Sequence, residues 1–298
     1  MRLALFADGW VGKQVLAYLQ ENFPDDLHLI YLLDETQSLV NDRHHSDLLC
    51  GHLSDSVVVQ AIQERGIELI VLAWWPRIVS KRVFSSSRLG CINFHPSLLP
   101  YNRGKHYNFW TIVEGTPFGV TLHFVDSGID TGAIAYQRRV EKTWLDTGES
   151  LFLRARSAMV DLFKDEYQNI RTGNIPKIAQ DDEIATMHYA RELDAASELF
   201  LDKCYCVQDV VNLIRARTFF PHPSSYFYYN GQKVCVRSSI SLSGDEGVHY
   251  RPLDLTQVMP CRDLLAYTDA NKTTNFVFWD DEKHYVQLDF TTDSDRKG

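Results

Sequence analysis

Positive charge is in short supply in this 298-residue chain: 30 lysines and arginines stand against 39 aspartates and glutamates, a formal net charge of −9. That balance repels nucleic acid and anionic lipid unless basic residues are locally clustered, so a polyanionic partner is disfavoured while one small anion is not. Cysteine is scarce too. Cys50, Cys91, Cys204, Cys206, Cys235 and Cys261 are too few and too scattered for a disulfide framework at this length, which leaves free thiols of a reducing compartment. No apolar run approaches the roughly 18 residues of a membrane span, and the opening MRLALFADGW breaks at Asp8-Gly9 before an export signal could build its apolar core. The expectation is a cytoplasmic protein with no membrane or nucleic-acid partner. Asn271-Lys272-Thr273 fits a glycosylation sequon, a chance match in that setting. No repeat of fixed period is present.

What the chain does have is material for a core, with 45% hydrophobic and 12% aromatic residues, near the average of globular proteins. Its length suits one large domain and a smaller one. The first half alternates strand-like and helix-like segments: Arg2 to Ala7, a helix from Trp10 to Glu21, His28 to Leu33, a helix from about Asp55 to Arg65, the apolar run Ile67 to Ala73, and a strand around Leu89 to Phe94. Near-continuous apolar strands separated by helices predict an α/β fold with a doubly wound, mostly parallel sheet covered on both faces. Phe118 to Asp126 alternates instead. Phe118, Val120, Leu122 and Phe124 lie on one face and Thr121 and His123 on the other, which predicts a strand with one wetter face, paired with Ala133 to Val140. A helix over Glu149 to Arg171 is stopped by Gly173 and Pro176. The predicted organisation is a core over residues 1–176, a connector over 177–206, and a small C-terminal domain over 207–298 made of one helix, Val207 to Arg217, followed by mainly β structure.

Three local signals carry little. Gly9-x-x-Gly12 opens the first helix but lacks the full dinucleotide fingerprint, and a tight strand-to-helix turn accounts for it. His44, His45, Cys50 and His52 fit no zinc spacing, so no metal is expected. Cys204-Tyr205-Cys206 is one residue short of a redox motif.

The informative stretch is Cys91 to Gly104, with Val125 to Gly132 about 26 residues further on. Asn93 and His95 stand two apart at the end of a strand, so both project from one side of the sheet near its carboxyl edge, where open α/β sheets place ligands. Asp130 lies in a turn flanked by Gly128 and Gly132 that can return over that edge. An amide, an imidazole and a carboxylate suit acyl transfer to an amine: a donor for the developing oxyanion, an acceptor for the amine proton, and a charge to orient and stabilise the imidazolium. Each residue alone is usually a satisfied structural group; together they are not.

These residues resemble the folate-dependent formyltransferases, which carry an Asn, a His in an H-x-S-L-L-P segment and an Asp in a G-x-D-T-G turn. The resemblance covers residues 1 to 176 and continues more loosely to about Phe220. It implies N10-formyltetrahydrofolate as the co-substrate, with Asn93 stabilising the oxyanion, His95 accepting the proton and Asp130 orienting His95. It further implies a pterin pocket from the loop holding Trp75, Arg77, Ile78 and Val79 together with Asp126, Gly128 and Ile129. Trp74 and Trp75 can equally pack the sheet edge. Relatives of this kind are often homodimers through the C-terminal part.

Within the family, the run Leu99 to Trp110 and the segment Arg215 to Pro221 are similar to sugar N-formyltransferases acting on dTDP-linked amino-dideoxyhexoses, in surface polysaccharide (O-antigen) synthesis. Tyr107 stands where that subgroup is expected to carry Pro. Glycinamide ribonucleotide enzymes are shorter and would leave the C-terminal part unexplained. Methionyl-tRNA needs a phosphate-neutralising surface that a chain at −9 does not advertise. A nucleotide sugar would use Arg103, Lys105 and His106, at the start of the helix after the catalytic strand, for its diphosphate, with Tyr107 also among the substrate-binding residues. Arg215 and Arg217, two apart on a helix, cannot both face it. Phe219, Phe220 and Tyr226 either stack on the base or fill the core. A non-catalytic folate or nucleotide-sugar binder is the rival class, and it has no use for all three of Asn93, His95 and Asp130.

Overall fold

The computed structural model describes residues 1–33 and 47–292. These fall into two compact units: residues 1–104, 117–141 and 153–187 form the first, and 105–116, 142–152 and 188 onward form the second.

The first unit is built on a seven-stranded sheet of β1 (Leu3–Ala7), β2 (Leu27–Leu32), β3 (Leu48–Cys50), β4 (Leu69–Ala73), β5 (Cys91–His95), β6 (Gly119–Phe124) and β7 (Ile134–Arg139), in the order β3-β2-β1-β4-β5-β6-β7. The first five are parallel, while β6 and β7 are antiparallel additions beside β5. Every residue of β1 and β4 is buried, the continuous apolar pattern required of strands covered on both faces. The helix Gly9–Asn22 presents Val11, Val15, Leu16 and Leu19 to this core at helical spacing. A Cβ on Gly12 would lie 2.9 Å from the Ala73 carbonyl oxygen, so close helix-on-sheet packing accounts for that glycine without a ligand. The predicted wetter face of β6 is not wet. Thr121 and His123 are both buried, Thr121 under the Ser97 to Leu99 backbone and Gln137 and His123 under the site residues described below.

In the second unit a five-stranded sheet runs in the order β8 (Ser225–Tyr229), β9 (Gln232–Ser241), β12 (Lys283–Thr292), β11 (Thr273–Trp279) and β10 (Arg251–Pro252). The helix Val207–Arg217 buries Val207, Val210, Val211 and Ile214, the i, i+3, i+4, i+7 stripe, in one cluster with Phe227, Val236, Phe276, Phe278 and Leu288. Each such side chain contributes about 1.5–3 kcal/mol, so a charge at Val211 would open this unit first. The boundaries expected at 176 and 206 do not coincide with the observed division, which is interleaved along the sequence. Residues 177–187 belong to the first unit, and Cys204–Cys206 forms a strand paired with Val258–Pro260 in the second. No helix among the described residues is long and apolar enough to cross a membrane. His44 and His45 of the histidine group lie outside the described residues.

Candidate active site

Strand alternation puts Asn93 and His95 on one face at the end of β5. Antiparallel pairing sets His123 opposite Asn93 and Thr121 opposite His95, and directly opposed residues share a face. His123 Nδ1 lies 2.8 Å from the Phe124 carbonyl, so the ring donates there and Nε2 faces the Asn93 amide at 3.2 Å. One amide hydrogen of Asn93 serves His123; the other is available to a carbonyl oxygen.

Asp130 reaches this face by a detour. β6 ends beside the start of β5, where Val125 N–H donates to the Cys91 carbonyl, so the 125–133 loop folds back across the sheet before rejoining it as β7. Asp126 organises the loop by accepting from Gly128 N–H at 3.0 Å and Thr131 Oγ1 at 2.7 Å. Any Cβ on Gly132 would overlap the Phe124 carbonyl, so this close return requires glycine. Asp130 itself sits at φ +54, a left-handed backbone that a non-glycine residue holds only when its surroundings impose it. Its Oδ2 is 3.4 Å from His95 Nδ1 and accepts from Gly104 N–H at 2.9 Å, and its Oδ1 is 3.4 Å from His123 Nε2. Burial pushes the Asp130 carboxyl up, but the positive charge that His95 and His123 carry when protonated, together with the Gly104 N–H, outweighs it and holds it well below the usual carboxylate range.

His95 is nearly fully buried. Its Nε2 lies 3.0 Å from the Asn102 carbonyl, an acceptor only, so the neutral ring carries its proton on Nε2 and Nδ1 becomes the basic atom. A proton arriving at Nδ1 meets the Asp130 carboxylate. The face therefore offers a base with a fixed tautomer, a permanent anion to stabilise its charged form, and an amide donor beside it: the parts needed to deprotonate an attacking amine and to receive a developing oxyanion.

The structure places the remaining expected residues less uniformly. Trp75 packs between Phe6 and Tyr31, with ring centroids 5.3 and 4.7 Å away, and Val79 joins the same cluster; the packing alternative holds for Trp75. Arg77 is exposed, and Ile78 is 95% exposed at the tip of its loop. Ile129 is also exposed, next to Asp130. Arg103 is buried. Its Nε and Nη2 donate to Gln180 Oε1 at 3.0 and 2.9 Å, and Nη2 reaches Asp182 at 2.8 Å.

Within the second unit, Arg215 is likewise committed. It donates to Asn212 Oδ1 at 2.9 Å and to the carbonyls of Thr143 and Asp146 at 2.9 and 3.0 Å. Arg217, two residues on, is 8% exposed, and its Nε has no hydrogen-bond partner among the described residues. His106 lies in its field: burial, then Arg217 and Lys105, hold that imidazole below its ordinary value. Lys105 is exposed and Tyr107 half-buried. Phe219 packs against Phe152 and His222 at 5.1 and 4.6 Å, Tyr226 is buried under Lys233 at 3.5 Å, and Phe220 is 73% exposed with Arg237 above its ring.

Residues 35–165 match the family described as formyl transferase, and residues 192–243 match the N-formyltransferase dimerization C-terminal domain. Over residues 35–165 the chain is similar to the formyl transferase family. Among curated relatives, methionyl-tRNA formyltransferases of Ruminiclostridium cellulolyticum and Carboxydothermus hydrogenoformans are 32% and 31% identical over 60% and 57% of this chain. The chain spans only 56% and 54% of their lengths. Two solved structures share its fold: a sugar N-formyltransferase from a Shewanella strain (24% identity, 80% of this chain and 97% of that one, TM-score 0.66), and the Helicobacter canadensis N-formyltransferase in complex with folinic acid and dTDP-3-aminofucose (17% identity, 98% and 100%, TM-score 0.66).

His123, Gln180 and Thr186 were not among the expected site residues. His123 shares the face of Thr121 in the alternating strand, and that alternation was the signal for it. Gln180 and Thr186 carry no local signal.

Proposed function

We propose that this chain transfers a formyl group from N10-formyltetrahydrofolate to the primary amine of a nucleotide-linked amino sugar, a dTDP-linked 3- or 4-amino-dideoxyhexose, in the making of a surface polysaccharide. The observation that carries the chemistry is His95, with Nε2 tied to the Asn102 carbonyl and Nδ1 held against Asp130, beside the Asn93 amide. His95 Nδ1 takes the proton of the attacking amine, Asp130 stabilises the resulting imidazolium, and the second amide hydrogen of Asn93 donates to the formyl oxygen as charge builds on it. The exposed apolar side chains of Ile78 and Ile129, on loops of the same unit as His95, fit the flat apolar ring of a pterin. Folate supplies the activated formyl group; the chain supplies orientation, proton transfer and the donor.

A nucleotide sugar is supported by the second unit taken by itself. Arg217, with its buried Nε unpartnered, lies in the field of Asp194 and Arg237, and His106 lies in that of Arg217, Lys105 and His222; the cationic groups outnumber the one carboxylate and suit one diphosphate. The likeness of fold to the Helicobacter canadensis protein, whose complex holds folinic acid and dTDP-3-aminofucose, supports the same reading. The match of residues 192–243 to the N-formyltransferase dimerization C-terminal domain supports a homodimer.

Methionyl-tRNA is the second reading, favoured by the curated relatives. A panel of dTDP-, UDP- and GDP-linked 3- and 4-amino sugars and methionyl-tRNA, each assayed with N10-formyltetrahydrofolate, separates the two. Formamide formation on a dTDP-sugar with weak salt dependence is expected. Activity confined to methionyl-tRNA and falling steeply with salt would replace the proposal.

A further inference from the structure

The segment 178–187 lies far in sequence from β5 and from the Asp130 turn, yet it makes the bonds that fix both. It rejoins the first unit through reciprocal backbone bonds between Ile178 and Ile134. Gln180 Nε2 then donates to the Asp130 carbonyl at 2.7 Å and to the Gly132 carbonyl at 2.8 Å, bracing the left-handed turn from its backbone. The Oε1 of the same amide accepts both donors of Arg103, one residue before the Gly104 N–H that binds the Asp130 carboxylate. Six residues later, Thr186 Oγ1 accepts the Asn102 N–H at 2.8 Å, Thr186 N–H donates to the Pro100 carbonyl at 3.2 Å, and the Thr186 carbonyl accepts Arg103 N–H at 3.0 Å. Those bonds hold Asn102, itself at φ +56, whose carbonyl faces His95 Nε2. One short segment therefore grips the two partners of the imidazole from both sides: Asp130 at Nδ1 and the Asn102 carbonyl at Nε2.

We propose that Gln180 and Thr186 are positioning residues for acyl transfer: Gln180 fixes the Asp130 turn against His95 Nδ1, and Thr186 fixes the Asn102 carbonyl that selects the Nε2–H tautomer. Neither touches the reacting atoms. The proposal rests on the reading of His95 and Asp130 as the reacting groups. Misplacing a base by a fraction of an ångström lowers the rate of the chemical step and leaves binding intact, so the effect falls on kcat.

The substitutions separate the contacts. Gln180→Glu keeps an acceptor for Arg103 and loses both donors to the turn; Gln180→Ala loses everything. Thr186→Val is isosteric without the hydroxyl, and Thr186→Ser restores it. For Gln180→Glu and Thr186→Val we expect kcat to fall of order 10- to 100-fold with KM for both substrates within about twofold, and Thr186→Ser to recover at least half of the wild-type kcat. The second readout is independent of turnover: the 15N imidazole shifts of His95 in the full chain, assigned by their loss in His95→Gln. The wild type is expected to show the Nε2–H tautomer, and Thr186→Val a mixture of tautomers. Wild-type kcat and unchanged His95 shifts in both Gln180→Glu and Thr186→Val would overturn the proposal. Should the wild type transfer no formyl group to any acceptor, the proposed function fails first, and unchanged shifts in the variants would then sink the positioning role separately. If Gln180→Ala does not fold, the Glu, Val and Ser variants still decide.

Discussion

The two units use buried arginine in opposite ways. In the first, Arg103 is buried with its Nε and Nη2 engaged by Gln180 and Asp182, and the same Gln180 braces the Asp130 turn. In the second, Arg215 follows that pattern by bonding to carbonyls, while Arg217 is buried with Nε unpartnered. A buried donor left unmade costs about 1–3 kcal/mol, and such a cost persists where a ligand completes the bond. Committed arginines build; Arg217, with one donor unmade, is the proposed binder.

That contrast can be broken at four points, taken from the largest effect down. Asp130→Asn removes the anion facing both histidines, and kcat should fall about 10³-fold with the fold intact by circular dichroism; a loss below tenfold would make Asp130 a turn residue only. Arg215→Ala leaves buried carbonyls without donors and should lower unfolding stability by about 3 kcal/mol in urea. Any activity loss should track unfolding. Arg217→Ala should do the reverse: KM for the nucleotide sugar up about tenfold, equivalent to about 1.4 kcal/mol, with the melting temperature unchanged or higher. A drop in melting temperature with unchanged KM would place Arg217 with Arg215. The smallest effect concerns a carboxylate with no part in the chemistry. Burial pushes Asp26 up, but hydrogen bonds from Arg171 and Tyr167, at 2.6 and 2.9 Å, outweigh it and hold it below its ordinary value. A lowered folded-state value stabilises above the unfolded carboxyl pKa of about 4, and the contribution is lost as pH falls below that. Wild type should therefore melt a few degrees above Asp26→Asn at pH 7, and the gap should shrink at pH 3.

What the sequence made legible follows from the range of each interaction. Asn93 and His95 could be read because strand alternation is local and two residues suffice. The order of strands and helices in the first unit was readable for the same reason, since buried parallel strands are apolar throughout. Asp130 was legible through its Gly-flanked turn, although its route across the sheet face was not. His123 was overlooked because an alternating polar residue reads as solvent-facing until something is known to cover it. Arg103 was read locally, with its neighbours Lys105 and His106 as a cationic group, while its partner Gln180 lies 77 residues away. Gln180 and Thr186 reach Asp130 and Asn102 across 50 and 84 residues, a separation at which no local pattern survives.

The most direct test compares the wild type with His95→Asn, at matched concentration and confirmed folding, for formamide formed on a dTDP-linked amino sugar from N10-formyltetrahydrofolate. Product with the wild type and a rate lower by at least about 10³-fold with His95→Asn are expected. Equal rates from the two proteins would remove His95 from the chemistry and contradict the account.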